Sequence, residues 1–205
     1  MASLPTEILE RSVSLPCGSV LAPKEFLHLG SRAAVDQAFC RLVKAGRLQR
    51  IARGLYITAR GSETAPDASL VETVIHSLSA MGKSSITVCG EVAAKSLGIV
   101  AEAGESRVFF TSGRNKELAL GRTTVLLKRV PGWMTALGGS AAGNAVRAMA
   151  WIGPEKAQVA AETLHTRLPD AQWASLSSIR ASLPAWMAIA ISKASLATGV
   201  QLGSA

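Results

Sequence analysis

The apolar positions of this chain change rhythm several times, and each change marks an element. Between Ser31 and Gly46, Val35, Ala38, Phe39, Leu42 and Val43 fall at i, i+3, i+4, i+7 and i+8, a single stripe of a short amphipathic helix. Ser31 stands at an N-cap position and Gly46 where a C′ glycine ends a helix. From Arg47 the period shortens. Leu48, Ile51, Leu55 and Ile57 predict two short strands around a tight turn, with Gly54 at positive φ. Upstream, residues 6–14 predict a helix capped by Thr6, with Ile8, Leu9 and Val13 as its stripe and Pro16 as its stop. Residues 18–21 read as a small strand pairing with the hairpin. Residues 22–28 give one or two helical turns with Pro23 in the first, and Leu29-Gly30-Ser31 is the turn between two helices. A basic helix followed at once by a basic hairpin is the tail half of a winged helix-turn-helix.

Residues 59–67 have turn and linker composition, which puts a domain boundary there. The chain then divides into a winged helix-turn-helix at 1–60, a linker at 61–67 and a partner-binding domain at 68–205, with an α/β part at 68–130 and a helical part at 131–205. Residues 69–80 form a helix that buries Leu70, Val71, Val74, Ile75 and Leu78. Strands are expected at 85–89, 107–111 and 123–130, with a short helix at 90–96 ended by Gly98. The basic, turn-rich 112–116 and Leu118 to Leu120 link the last two strands. Beyond Pro131 the strand signal vanishes. Residues 132–137 are a turn or short helix, and helices follow at 142–152, 155–166, 170–181 and 185–197, with Pro154, Pro169 and Pro184 near first turns. The last helix is apolar nearly all round, so it should be buried in a bundle or against a partner. Residues 200–205 should fray. The fold class is α+β.

Charge sharpens the picture. Between Ser31 and Arg60 there are seven basic residues and one acid, Asp36, a net +6 against +8 for all 205 residues. A rigid helix and hairpin carrying that excess suit a phosphate backbone, whose counterions they would release. Ser31, which opens the helix, and Asp36 are counted among the candidate DNA contacts. Arg32 and Gln37, near its start, are placed to read guanine and adenine edges, with Asp36 between them. Arg41, Lys44, Arg50 and Arg53 suit phosphates. The competing reading is a solvated basic face on an interaction scaffold.

The run from Ser31 to Ala38, then Arg41-Leu42-Val43-Lys44-Ala45-Gly46, then Arg50 to Tyr56 through Arg53-Gly54-Leu55, resembles the N-terminal winged helix of AbiEi-type antitoxins of bacterial type IV toxin–antitoxin systems. Residues 90–98 and Phe110-Thr111-Ser112-Gly113 resemble the start of that family's second domain, so the likeness covers roughly residues 5–130. It implies a cytoplasmic antitoxin that represses its own promoter and counteracts a nucleotidyltransferase-like toxin, with or without a stable complex. The partners expected are operator DNA with inverted repeats and that toxin. The alternative is a winged-helix regulator or scaffold unrelated to a toxin.

Other chemistry finds little support. Hydrophobic residues make up 48 % of the chain and aromatics 4 %, so the core must come from Ala, Leu, Val and Ile. No apolar run reaches the length of a membrane span. Residues 1–7 lack a basic and an apolar signal region, so no secretory signal is expected. Cys17, Cys40 and Cys89 read as free thiols. His28, His76 and His165 lie in separate segments without metal-ligand spacing, and His28 suits packing or a phosphate edge. The glycine-rich 138–143 lacks the Lys-Ser/Thr ending of a P-loop and reads as a helix entry capped by Ser140. No nucleophile elbow or carboxylate pair is present, so neither an enzyme nor a cofactor is expected. Trp133, Trp151, Trp173 and Trp186 read as core or interface anchors. The cluster Arg114, Lys116, Arg122, Lys128 and Arg129 suits an acidic partner, a nucleic acid or plain solvent.

Overall fold

The computed structural model describes residues 3–59, 68–82, 84–102, 104 and 106–201. The expected linker at 61–67 and most of the expected frayed end lie outside them. The fold is mixed α+β, and the chain separates into two compact units, residues 1–83 with 115–127 and residues 84–114 with 128–205.

The first unit opens with helix α1 (Leu4–Ser14). It starts three residues earlier than the Thr6 cap would place it, with Ser3 at the N-cap position, because Pro5 is tolerated in a first turn. Thr6 Oγ1 instead pairs with Ser3 Oγ at 2.8 Å. Leu15 is extended ahead of Pro16, which ends the helix. A 3-10 turn (Pro23–Phe26) and helix α2 (Arg32–Lys44) follow, then strands β1 (Leu48–Ala52) and β2 (Leu55–Thr58). These two pair antiparallel with an irregularity between Arg50 and Ala52, and Gly54 takes φ 70° in the turn. Leu21 bridges Tyr56 through two backbone hydrogen bonds of 2.8 and 3.0 Å, the small strand expected there. The core gathers Ile8, Leu21, Phe26, Val35, Phe39, Leu42, Leu48 and Tyr56. Phe39 sits edge-on to Phe26 at 5.5 Å and tilted against Tyr56 at 4.8 Å.

Helix α3 (Ala68–Met81) belongs to this unit too. The Val20 N–H donates to Ser77 Oγ at 2.8 Å, and Gly18 lies so close to Leu70 that a Cβ there would meet it at 2.9 Å. Helix α3 buries Val74, Ile75 and Leu78, while Leu70 and Val71 are half-buried.

The second unit begins with strand β3 (Ile86–Val88) and helix α4 (Gly90–Ser96). Strand β4 (Val108–Thr111) follows and pairs antiparallel with β3. Next come β5 (Lys116–Leu120) and β6 (Thr123–Arg129), an antiparallel hairpin turning at Gly121, φ 58°. The hairpin belongs to the first unit as far as Leu127, and the sheet order is β3-β4-β6-β5. Strand β5 occupies part of the segment expected to be only a connection. Lys, Glu and Ala are weak strand formers, but register pairing of Leu118 with Val125 and Leu120 with Thr123 holds it.

After a 3-10 turn (Gly132–Met134) the second unit is helical: α5 (Ala141–Ile152), α6 (Ala157–Arg167), α7 (Asp170–Ser178) and α8 (Ala185–Gln201). Ser140 caps α5, its Oγ accepting from the Gly143 N–H at 3.0 Å. The core is rich in alanine, with Ala142, Ala145, Ala160, Ala161 and Ala190 around Leu164, Leu176, Met187 and Ile191. Small residues let α4 and α5 approach closely. A Cβ on Gly90 would lie 2.6 Å from the Arg147 carbonyl. The all-round burial expected of α8 is not found. Ile189 and Leu196 are 55 % and 72 % exposed, because only the face with Met187, Ala190, Ile191 and Ala194 meets the bundle. Among the described residues no helix is long and apolar enough to cross a membrane.

Candidate nucleic-acid interface

Helix α2 and the β1–β2 hairpin hold every candidate contact residue. Burial of Val35, Ala38, Phe39 and Leu42 turns the side of α2 with Gln37, Arg41 and Lys44 outward, and Ser31 and Arg32 are exposed at the start of the helix. Arg50 and Arg53 are exposed on the hairpin. The side chains of Arg41, Lys44 and Arg53 make no hydrogen bond or ion pair among the described residues. Their charge is therefore available to a ligand.

The start of α2 is built unusually for a helix that only has to be stable. The positive end of the helix dipole favours an acid in the first turn, yet α2 has none there and begins with Arg32. Ser31 closes the end, its Oγ accepting from the Ala34 N–H at 3.3 Å, so that oxygen already has a role in the fold. Arg32 Nε donates to Asp36 Oδ2 at 2.8 Å, with the two side chains 64 % and 46 % exposed. An exposed i,i+4 pair of this kind contributes only about 0.3–0.5 kcal/mol. Its geometric effect is larger: engaging Nε leaves both terminal amines of Arg32 to reach outward. Asp36 thus acts on Arg32 rather than facing a ligand alone.

On the hairpin, Arg50 Nε donates to the Ala52 carbonyl at 3.3 Å, across the irregular register. Gly54 forms the tip, and a Cβ there would meet no atom within 4 Å. Gln49, which the sequence did not single out, donates from Nε2 to the Ala119 carbonyl at 3.0 Å and ties β1 to β5. Its one signal in the sequence is an uncharged side chain amid basic neighbours. The basic cluster of residues 114–129 is divided by the fold. Lys116 and Arg122 lie in the first unit, and Arg114, Lys128 and Arg129 in the second. His28 is exposed beside the turn before α2, and His76 is exposed on α3.

A second polar feature was not legible. Arg147, in the middle of α5, is fully buried. Its Nη1 donates to the carbonyls of Met134 at 3.1 Å and Gly138 at 2.9 Å, and Nη2 donates to Asn144 Oδ1. Burial pushes its pKa down from the usual arginine range to about 10, which leaves it cationic at neutral pH. The guanidinium acts as a clamp on the loop ahead of α5. A Cβ on Gly143 would lie 2.5 Å from the Gly138 oxygen, so the loop folds tightly over the helix. Trp173 is buried, Trp133 and Trp186 are half-buried, and Trp151 is 49 % exposed. Among the described residues no three His, Cys, Asp or Glu side chains gather to hold a metal.

Compared with known proteins, residues 7–169 match the model of a family described as a family of unknown function, DUF6088. No curated protein and no solved structure matches the chain. The match takes in the whole of α2, both hairpins and the helices up to α6, and the chain is a member of the DUF6088 family.

Proposed function

We propose that this chain is a DNA-binding antitoxin of a type IV toxin–antitoxin system, working in the cytoplasm, that represses its own operon and counteracts a nucleotidyltransferase-like toxin. In this reading the 3-10 turn and α2 are the two helices of a winged helix-turn-helix and the β1–β2 hairpin is its wing. Helix α2 enters the major groove, and the hairpin reaches an adjacent groove or the backbone. Arg32 and Gln37 read base edges, while Arg41, Lys44, Arg50 and Arg53 meet phosphates. The carrying observation is the outward display of Arg32, Arg41, Lys44, Arg50 and Arg53 on α2 and the hairpin that follows it. The antitoxin part rests on the resemblance of residues 31–56 and 90–113 to AbiEi-type proteins.

The test is binding of the full chain to duplex DNA from upstream of its own reading frame, against a scrambled duplex, over a salt series. Steep loss of affinity with salt and preference for the native duplex are expected. Replacing Arg32 and Gln37 together by Ala should erase the preference and leave salt-sensitive binding. Absence of salt-dependent binding to either duplex would remove the DNA reading. Relief, by this chain, of the toxicity of a neighbouring nucleotidyltransferase-like protein tests the antitoxin part. The other reading, a regulator or interaction scaffold unrelated to a toxin, draws on Ile189 and Leu196, seven residues apart and exposed on α8.

A further inference from the structure

We infer that the β5–β6 hairpin is a second wing: it lies against the first and brings Lys116 and Arg122 to the phosphates of the same duplex. This rests on the DNA-binding reading above and extends it to a surface that reading did not include.

Three observations carry it. Residues 115–127 belong to the same compact unit as α2 and β1–β2, although some sixty residues of sequence separate them from Thr58. The two hairpins are tied by the bond from Gln49 Nε2 to the Ala119 carbonyl at 3.0 Å, and β1 packs on β5. Lys116 and Arg122 are both exposed, and their side chains make no hydrogen bond or ion pair among the described residues.

Distance makes the placement useful. Lys116 stands three residues from Ala119 along β5, roughly 10 Å from the tie to β1, and Arg122 stands in the turn just past the other end of the strand. Successive phosphates of one strand rise about 3.4 Å along the axis, so the step is on the order of three phosphates. A backbone already engaged by Arg50 and Arg53 would continue within reach of the second hairpin.

Edge protection is the competing explanation. Strand β5 is the outer strand of its sheet, and charge on an outer strand discourages pairing with another chain. That accounts for Lys116 and Glu117. It does not account for Arg122, which lies in the Gly121-Arg122 turn, outside the ladder.

The experiment is a salt titration of the full chain on a 30-base-pair duplex of random sequence, about 50 to 200 mM salt, by fluorescence anisotropy. Each phosphate contact contributes about 0.9 to the slope of log affinity against log salt. The Lys116→Ala/Arg122→Ala variant should therefore lose close to two contacts and lower the slope by about 1.8, so that the fold-loss of affinity across that range is about twelve times smaller than in the wild type. The charge-adding variant Glu117→Lys should steepen the slope. Circular dichroism before and after heating checks that both variants fold. If Arg50→Ala/Arg53→Ala lowers the slope while Lys116→Ala/Arg122→Ala and Glu117→Lys leave it at the wild-type value, the second wing is overturned and the first stands. If the wild type itself shows no salt-dependent binding, both fall together.

Discussion

The two units carry the same net charge and use it in opposite ways. The first has twelve basic and eight acidic residues and the second ten and six, so each is +4. In the first, the cations of α2 and the β1–β2 hairpin stand outside a small core built on three aromatic rings, Phe26, Phe39 and Tyr56. In the second, alanines pack helices closely and one cation, Arg147, is drawn inside to hold a loop by its carbonyls. Net charge alone would not separate a binding surface from a clamp. What separates them is whether the fold buries the cation among its partners, as it does Arg147, or leaves it exposed, as it does Arg32 and Arg50.

The sharpest way to break this contrast is Phe39→Ala. Phe39 is fully buried, and its loss should cost about 3–5 kcal/mol. All four tryptophans lie in the second unit, so their fluorescence follows that unit during denaturation. DNA binding should collapse in the variant while the tryptophan transition keeps its midpoint. A matching shift of that midpoint would mean the units unfold as one body.

Arg147→Ala is the converse. It strips the Met134 and Gly138 carbonyls of their donor and opens a cavity, at a cost of roughly 2–4 kcal/mol in the tryptophan-reported transition. Arg147→Met, which fills most of the space without a charge, should recover part of that loss. DNA affinity should stay near wild type in both. The pH dependence has a definite sign. Because burial depresses the folded pKa to about 10, below that of the unfolded chain, the unfolded chain binds more protons from about pH 10 upward, and this group's contribution rises with pH only there. Between pH 6 and 8 denaturation midpoints should show no contribution from Arg147, and the slope of midpoint against pH should be the same in Arg147→Met.

Smaller effects refine the surface. Arg50→Ala/Arg53→Ala should change stability by less than about 0.5 kcal/mol, since both side chains are exposed. It should still lower the salt slope of DNA binding by about 1.8. Ser31→Ala removes the α2 cap and should cost ~1 kcal/mol by chemical denaturation, with little effect on the salt slope. A loss of DNA affinity at unchanged salt slope and intact fold would mean that the hydroxyl itself meets DNA.

The parts most legible in the sequence were those where local rules agree. Val35, Ala38, Phe39 and Leu42, with Ser31 and Gly46 at the ends, fix α2 in length and in the face it buries. Gly54 and the Leu21–Tyr56 bridge followed from turn chemistry and alternation. Strand β5 was missed because Lys116-Glu117-Leu118-Ala119-Leu120 has little strand propensity of its own and is held by its partner strand. The outward face of α8 could not be read from a helix whose residues are apolar on every side. Arg147 reads as a surface charge in a one-dimensional pattern, and only the loop curling back from Gly138 reveals it as interior. Of the interface, the α2 and β1–β2 cations were legible as a dense run. Lys116 and Arg122 were legible only as a remote cluster, because Gln49 joins them through space.

The guanidinium of Arg147 also sets a limit on how chain length can vary. It grips carbonyls four residues apart, at Met134 and Gly138, so an extra residue between them would push one oxygen out of its grasp. Nothing crowds the outer side of Gly54, so a longer loop there meets open space. Insertions and deletions among relatives should therefore gather at the tip of the first hairpin and spare residues 134–138.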